Sequence, residues 1–161
     1  MKSGQPSAHQ TGALYTPAER ARRDATVWTT VQGVLAPLQF LVFLISLGLV
    51  LRYMATGAGY EAATVSILLK TAILLTIMVT GAIWEKVVFG QYLFAPAFFW
   101  EDVVSFGVIA LHLGYVWVLL TGVDPALQMV VALAAYLAYV VNAGQFLWKL
   151  RQARLQAEAT A

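Results

Sequence analysis

An all-α polytopic membrane bundle is the fold class that three observations predict. Of the 161 residues, 60% are hydrophobic and only 11% are charged, giving a mean hydropathy of +0.74, well outside the usual composition of a soluble domain. Four stretches approach or exceed the roughly 20 apolar residues that a spanning helix needs. The lysines and arginines gather almost entirely beside the ends of those stretches. The expected architecture is four transmembrane helices with both termini cytoplasmic, preceded by a short amphipathic helix. Residues 1–15 are expected to form a disordered polar tail, 16–156 a single transmembrane domain and 157–161 a C-terminal tail.

The short first helix is marked by Thr16-Pro17-Ala18-Glu19, a capping-box sequence with proline at the first helical position. Its basic composition suits the membrane surface. The four spans are expected at 31–51, 62–83, 103–120 and 127–147. Thr56-Gly57-Ala58-Gly59 breaks the chain after the first, and Asp124-Pro125 caps the last. Short connections there make antiparallel neighbours. No apolar run with a small-residue cleavage site opens the chain, so no signal peptide is expected.

Orientation follows from the basic residues. With the N-terminus inside, Arg20, Arg22, Arg23, Lys86, Lys149, Arg151 and Arg154 lie on the cytoplasmic side and Arg52 outside. Trp28, Trp84, Trp100 and Trp148 then fall at the inner interface as an aromatic belt. The net charge of +2 is spread over the two ends of the chain, which excludes a nucleic-acid partner. The absence of cysteine removes disulfides, thiol nucleophiles and cysteine-ligated metals.

Ionisable groups in or beside membrane spans are costly and therefore functional suspects. Lys70 is expected to snorkel toward the outer interface on its long stem. Glu85 lies against its helix dipole and beside Trp84, which disfavours its anion and suits a proton donor. Glu101 and Asp102 follow a loop of five aromatics and have a bland role as dipole-stabilising acids if Pro96 opens the helix. At 100° per residue, Glu101 shares a stripe with Ser105 and His112, whereas Asp102 points about 80° away from His112. His112 is the only histidine in a span, so a bis-histidine haem within one chain is excluded. Gln39 shares a face with Gln32 across Pro37, an expected kink. Asn142, Gln145, Tyr136 and Tyr139 give the last span a polar side suited to interhelical hydrogen bonds. The acids and tryptophans together suggest an inner-leaflet site for a flat hydrophobic ligand.

The run "TAILLTIMVTGAIWEKVVFGQYLFAPAFFWEDVVS", the entry "YTPAERARRDATVWTTVQGVLAPLQF" and the exit "NAGQFLWKLRQARLQ" resemble the 3-vinyl bacteriochlorophyllide hydratase family of phototrophic bacteria. The resemblance implies hydration of the C3 vinyl group of a chlorophyllide-type ring to a 1-hydroxyethyl group, in an enzyme of the bacterial inner (intracytoplasmic) membrane. It implies no cofactor: water is the co-substrate and magnesium arrives with the tetrapyrrole. Glu85, Glu101 and Asp102 are the expected catalytic carboxyls. Trp84, Phe98, Phe99 and Trp100 are expected to seat the macrocycle, with Gln39 and Asn142 in the substrate-binding set and His112 as axial ligand to the substrate's magnesium. Implied partners are the tetrapyrrole, the bilayer and neighbouring enzymes of bacteriochlorophyll synthesis. Two rival classes fit the same residues: a pigment carrier that binds without conversion, and a small assembly factor.

Overall fold

The computed structural model describes residues 12–159 and is helical throughout its regular segments. Five helices follow in order: α1 (Pro17–Ala25), α2 (Val27–Thr56), α3 (Tyr60–Phe89), α4 (Phe99–Leu120) and α5 (Pro125–Ala159). The last four are long and apolar enough to cross a membrane, and all overrun the expected spans. Residues 1–11 of the expected tail lie outside the described residues. Tyr15, placed in that tail from sequence, is 5% exposed and stacks on Phe89 with ring centroids 5.9 Å apart. Burial raises the pKa of its phenol, against the opposing influence of Arg23 beside it.

The caps form as the sequence dictates. Thr16 Oγ1 accepts from Glu19 N at 3.2 Å while Glu19 Oε2 accepts from Thr16 N at 2.8 Å, closing the box. Asp124 Oδ1 accepts from Ala126 N at 2.9 Å. Gly57 ends α2 and Gly90 ends α3, both with positive φ, the left-handed cap that glycine adopts without steric cost. Proline 37 sits inside α2, which is assigned as one continuous helix. The fourth helix starts at Phe99, not Pro96: residues 96–98 form a turn closed by Phe98 N donating to Ala95 O at 2.9 Å.

Two antiparallel hairpins, α2–α3 and α4–α5, pack side by side, α2 meeting α5 and α3 meeting α4. Both ends of the described chain lie at one end of the bundle, where Gln156 Nε2 donates to Gly12 O at 3.1 Å. The outer faces carry exposed leucines, valines and aromatics, as a lipid-facing surface requires. Lipid gives apolar side chains no reason to prefer each other, so helix association relies on close packing and polar contacts. Those contacts are arranged in layers. Gln32 Nε2 donates to Thr80 Oγ1 at 2.7 Å, and Ser46 Oγ lies 2.7 Å from Ser66 Oγ and 2.5 Å from Tyr136 Oη. Toward the far end, Tyr60 Oη donates to Gln128 Oε1 at 2.6 Å. Lys70 occupies the middle layer. It does not snorkel as expected: the side chain is fully buried, with Nζ 3.7 Å from the Tyr139 ring centroid, because its position on α3 faces the bundle axis.

The Ser46–Tyr136 contact ties the two hairpins together and supplies a quantitative check. In a Ser46→Ala and Tyr136→Phe double-mutant cycle, reversible unfolding in detergent is expected to give a coupling energy of about 0.5–1.5 kcal/mol; a coupling near zero would remove the contact.

Candidate active site

The candidate site forms where loop 90–98 folds back over the ends of α3 and α4. Lys86 Nζ donates to Gly90 O at 2.8 Å, finishing α3 and starting the loop. Phe94 then adopts φ +59°, a left-handed conformation that is strained for a residue with a side chain. The strain is held from below. The Phe94 amide donates to Asp102 Oδ2 at 2.8 Å and the next amide, Ala95, donates to Glu85 Oε2 at 3.2 Å.

Those two carboxyls are therefore neighbours, brought together under the loop by two consecutive amides. Glu85 comes from the last turns of α3 and Asp102 from the first turn of α4; they are 5% and 3% exposed. Two neighbouring buried carboxyls can share one proton, since like charges brought close together repel. Such a pair can give a proton at one oxygen and take one at another.

Glu101 has different company. Its Oε2 accepts from Lys149 Nζ at 2.7 Å, and Lys149 also donates to the Ala97 carbonyl. The Glu101 backbone oxygen accepts from Ser105 Oγ at 2.7 Å and from Asn142 Nδ2 at 2.9 Å. The two adjacent acids therefore face different helices, Asp102 toward α3 and Glu101 toward α5. Glu101, Ser105 and His112 all lie on the buried side of α4, matching the angular expectation. From sequence alone, Lys149 registers only as a charge that orients the chain. Its spacing of seven from Asn142, which puts both on one face of α5, is the signal that links it to the site.

The expected ring-binding aromatics separate into two groups. Trp84 and Phe98 pack inward with Phe89 and Phe146: Phe98 is 2% exposed, and Trp84 Nε1 donates to Thr29 Oγ1 at 2.9 Å. Phe99 and Trp100 face outward, in contact with each other at 5.3 Å between centroids. Phe94 joins them, stacked on Phe106 at 5.5 Å and 5.7 Å from Phe99. One residue thus connects the two halves of the site, its amide on Asp102 and its ring in the exposed aromatic patch.

The remaining expected residues lie elsewhere. Asn142 is occupied by Glu101 and Ser105. Gln39 is 3% exposed and one turn from Phe43, in the middle of the bundle. His112 is fully enclosed, with Nδ1 2.8 Å from Val108 O and Nε2 unbonded, so no open face is presented to a macrocycle. Among the described residues no three histidine, aspartate or glutamate side chains converge as a metal site. A cleft of about 250 Å³ between the N-terminal segment, Pro96, Ala97 and α5 brings the exterior up to Lys149.

Four helices long and apolar enough to span a membrane, with two buried carboxyls under a strained aromatic loop, define a polytopic helical membrane protein. A family model described as 2-vinyl bacteriochlorophyllide hydratase matches residues 15–152. The 2-vinyl bacteriochlorophyllide hydratase of Cereibacter sphaeroides is 77% identical over 146 residues, covering 91% of both chains. That of Rhodobacter capsulatus is 75% identical over 145 residues, covering 90% of this chain and 85% of the relative. This chain belongs to the 2-vinyl bacteriochlorophyllide hydratase family and is a hydratase. No solved structure matches it.

The ion pair of Glu101 can be tested apart from chemistry. Lys149→Met leaves a buried carboxylate without its cation and is expected to cost about 1–3 kcal/mol, the partial exposure of Lys149 limiting the loss. Adding Glu101→Gln should recover most of it, measured as the midpoint of thermal unfolding in detergent.

Proposed function

We propose that this protein adds water across the C3 vinyl group of a chlorophyllide-type tetrapyrrole, giving a 1-hydroxyethyl substituent, with Glu85 and Asp102 as the acid–base pair. The observation that carries the reading is the burial of these two carboxyls under one loop, each accepting one of two consecutive loop amides, in a chain that belongs to a hydratase family.

Protonation of the terminal vinyl carbon leaves a cation on the inner carbon, delocalised into the conjugated ring. Water then bonds to that carbon and loses a proton to a base, so the sum is one water added and no net change in the enzyme. Asp102 sits in the first turn of α4 and accepts the shorter amide bond, both of which favour a negative charge there over one on Glu85. Glu85 sits near the C-terminal end of α3, where the dipole opposes negative charge. The proton therefore starts on Glu85, the donor; Asp102 receives the proton of the attacking water and passes it to Glu85, which restores the starting state of the pair. Glu101, held by Lys149, is a positioning residue that fixes the start of α4. No resident cofactor enters this scheme; water is the co-substrate and magnesium travels with the macrocycle.

Lipid-side binding follows from the exposed patch. The macrocycle lies against Phe94, Phe99, Trp100 and Phe106, and a displacement of Phe94 opens the way for the vinyl arm to reach the pair. A 30-residue helix such as α3 is about 45 Å long against a hydrocarbon core of about 30 Å. Glu85, four residues before the end of α3, then falls at the interface, where water is available. The termini end carries Arg20, Arg22, Arg23, Lys86, Lys149, Arg151 and Arg154, a bias that supports the reading of this end as the cytoplasmic side, in the bacterial inner membrane. The amphipathic α1 lies along that surface, and enzymes of the same biosynthesis are the partners that would supply substrate and take product.

Membranes containing the protein, incubated with chlorophyllide a, should yield a product heavier by one water. Glu85→Gln and Asp102→Asn should each lower turnover by about 10²–10⁴-fold with the fold intact, whereas Glu101→Gln should retain most of it. Equal loss in all three would reject the assignment of roles, and pigment binding without a mass change would identify a carrier. Phe94→Gly relieves the backbone strain and removes a patch ring. It should raise KM several-fold while changing stability by less than about 1 kcal/mol, read from steady-state kinetics beside thermal unfolding.

A further inference from the structure

Lys70 on α3 and His112 on α4 are both 0% exposed, and neither Lys70 Nζ nor His112 Nε2 has a hydrogen-bond partner. Buried polar groups in a native protein are almost always bonded, and this pair lies where lipid surrounds the bundle. The two atoms are complementary. His112 Nδ1 approaches the Val108 carbonyl oxygen, which can only accept, so the ring proton is on Nδ1 and Nε2 presents a lone pair. The lysine presents N–H groups in search of an acceptor.

Both side chains border the tyrosine pair of α5. Tyr139 closes the layer on one side, its ring face 3.7 Å from Lys70 Nζ, and Tyr136 on another, its ring centroid 5.9 Å from that of His112. The Tyr136 hydroxyl is already engaged with Ser46. On α2, Gln39 Oε1 is a further buried oxygen without a partner, one turn from Phe43, whose ring contacts both tyrosines. No carboxylate belongs to this layer: Glu61 and Glu85 are nine and fifteen residues away along α3, and Asp102 is ten from His112 along α4.

These groups restrict what can bind between them. An anion could accept from Lys70 but could not donate to Nε2, and a metal ion at Nε2 would give the lysine nothing to donate to. The ligand must both accept and donate, and the full burial of both side chains limits it to a few atoms. We propose that Lys70 and His112 form a buried binding site for one water molecule, which accepts from Lys70 Nζ and donates to His112 Nε2. The site joins α3 of one hairpin to α4 of the other. At ten residues from Asp102, about 15 Å along α4, it is separate from the water that the reaction consumes.

Water-edited solid-state NMR of the full-length, ¹⁵N-labelled protein in lipid bilayers tests this. Magnetisation from water protons is expected to reach His112 Nε2 and Lys70 Nζ early, with His112 in the Nδ1–H tautomer, while the Val108 amide stays dark. Lys70→Met should abolish the transfer to Nε2. Absence of transfer in the wild-type protein, a direct Nζ–Nε2 hydrogen bond in its place, or transfer that survives in a folded Lys70→Met variant would each overturn the proposal. The wild-type spectrum decides by itself if that variant does not fold.

Discussion

Every other feature of this bundle depends on the requirement that polar groups inside a lipid-bathed protein find partners within the protein. Apolar side chains are as well solvated by lipid as by one another, so they cannot by themselves specify which helix faces do not face lipid. Serine, tyrosine, asparagine, lysine and histidine do specify them. Ser46, Tyr136 and Ser66 lock α2, α5 and α3; Ser105, Asn142 and the Glu101 carbonyl lock α4 to α5. The result is a core in which layers of polar contacts are set among packed apolar side chains such as Phe43, Ile67, Val108 and Met129, inside a sleeve of leucine, valine and phenylalanine.

The same requirement produces the site. Glu85 and Asp102 could not be buried singly without large cost; they are buried together, and each also accepts a loop amide. That arrangement uses two carboxyls to fold loop 90–98 and, in return, uses the loop to exclude solvent from the carboxyls. Phe94 records the tension in this solution. Its left-handed backbone is the conformation that lets consecutive amides reach two carboxyls on two helices.

Three neighbouring acids have two kinds of surroundings. Glu101 is matched by a cation, Lys149, whose Nζ lies 2.7 Å from its carboxylate. Glu85 and Asp102 are buried beside each other and are met by two neutral amides. The N-terminal segment reinforces this end of the molecule: Arg22 Nε donates to the Val88 carbonyl at 2.8 Å, and Tyr15 packs on Phe89.

By itself the sequence determined the number of spans, the caps at Thr16 and Asp124, the break at Gly57 and the family, because hydropathy, capping and a long peculiar motif are local properties of the chain. Helical periodicity also placed Glu101, Ser105 and His112 on one side of α4. Helix ends were underestimated, since a hydropathy window stops where charge begins, and amphiphilic ends such as Trp84–Phe89 remain helical beyond it. Only the tertiary structure decided that Asp102, not Glu101, is Glu85's partner, that Trp84 and Phe98 are packing groups while Phe94 and Phe106 face outward, and that Lys70 points to the axis. Each of these depends on which neighbouring helix a given face meets, and that is set by contacts between residues tens of positions apart, which no local pattern encodes.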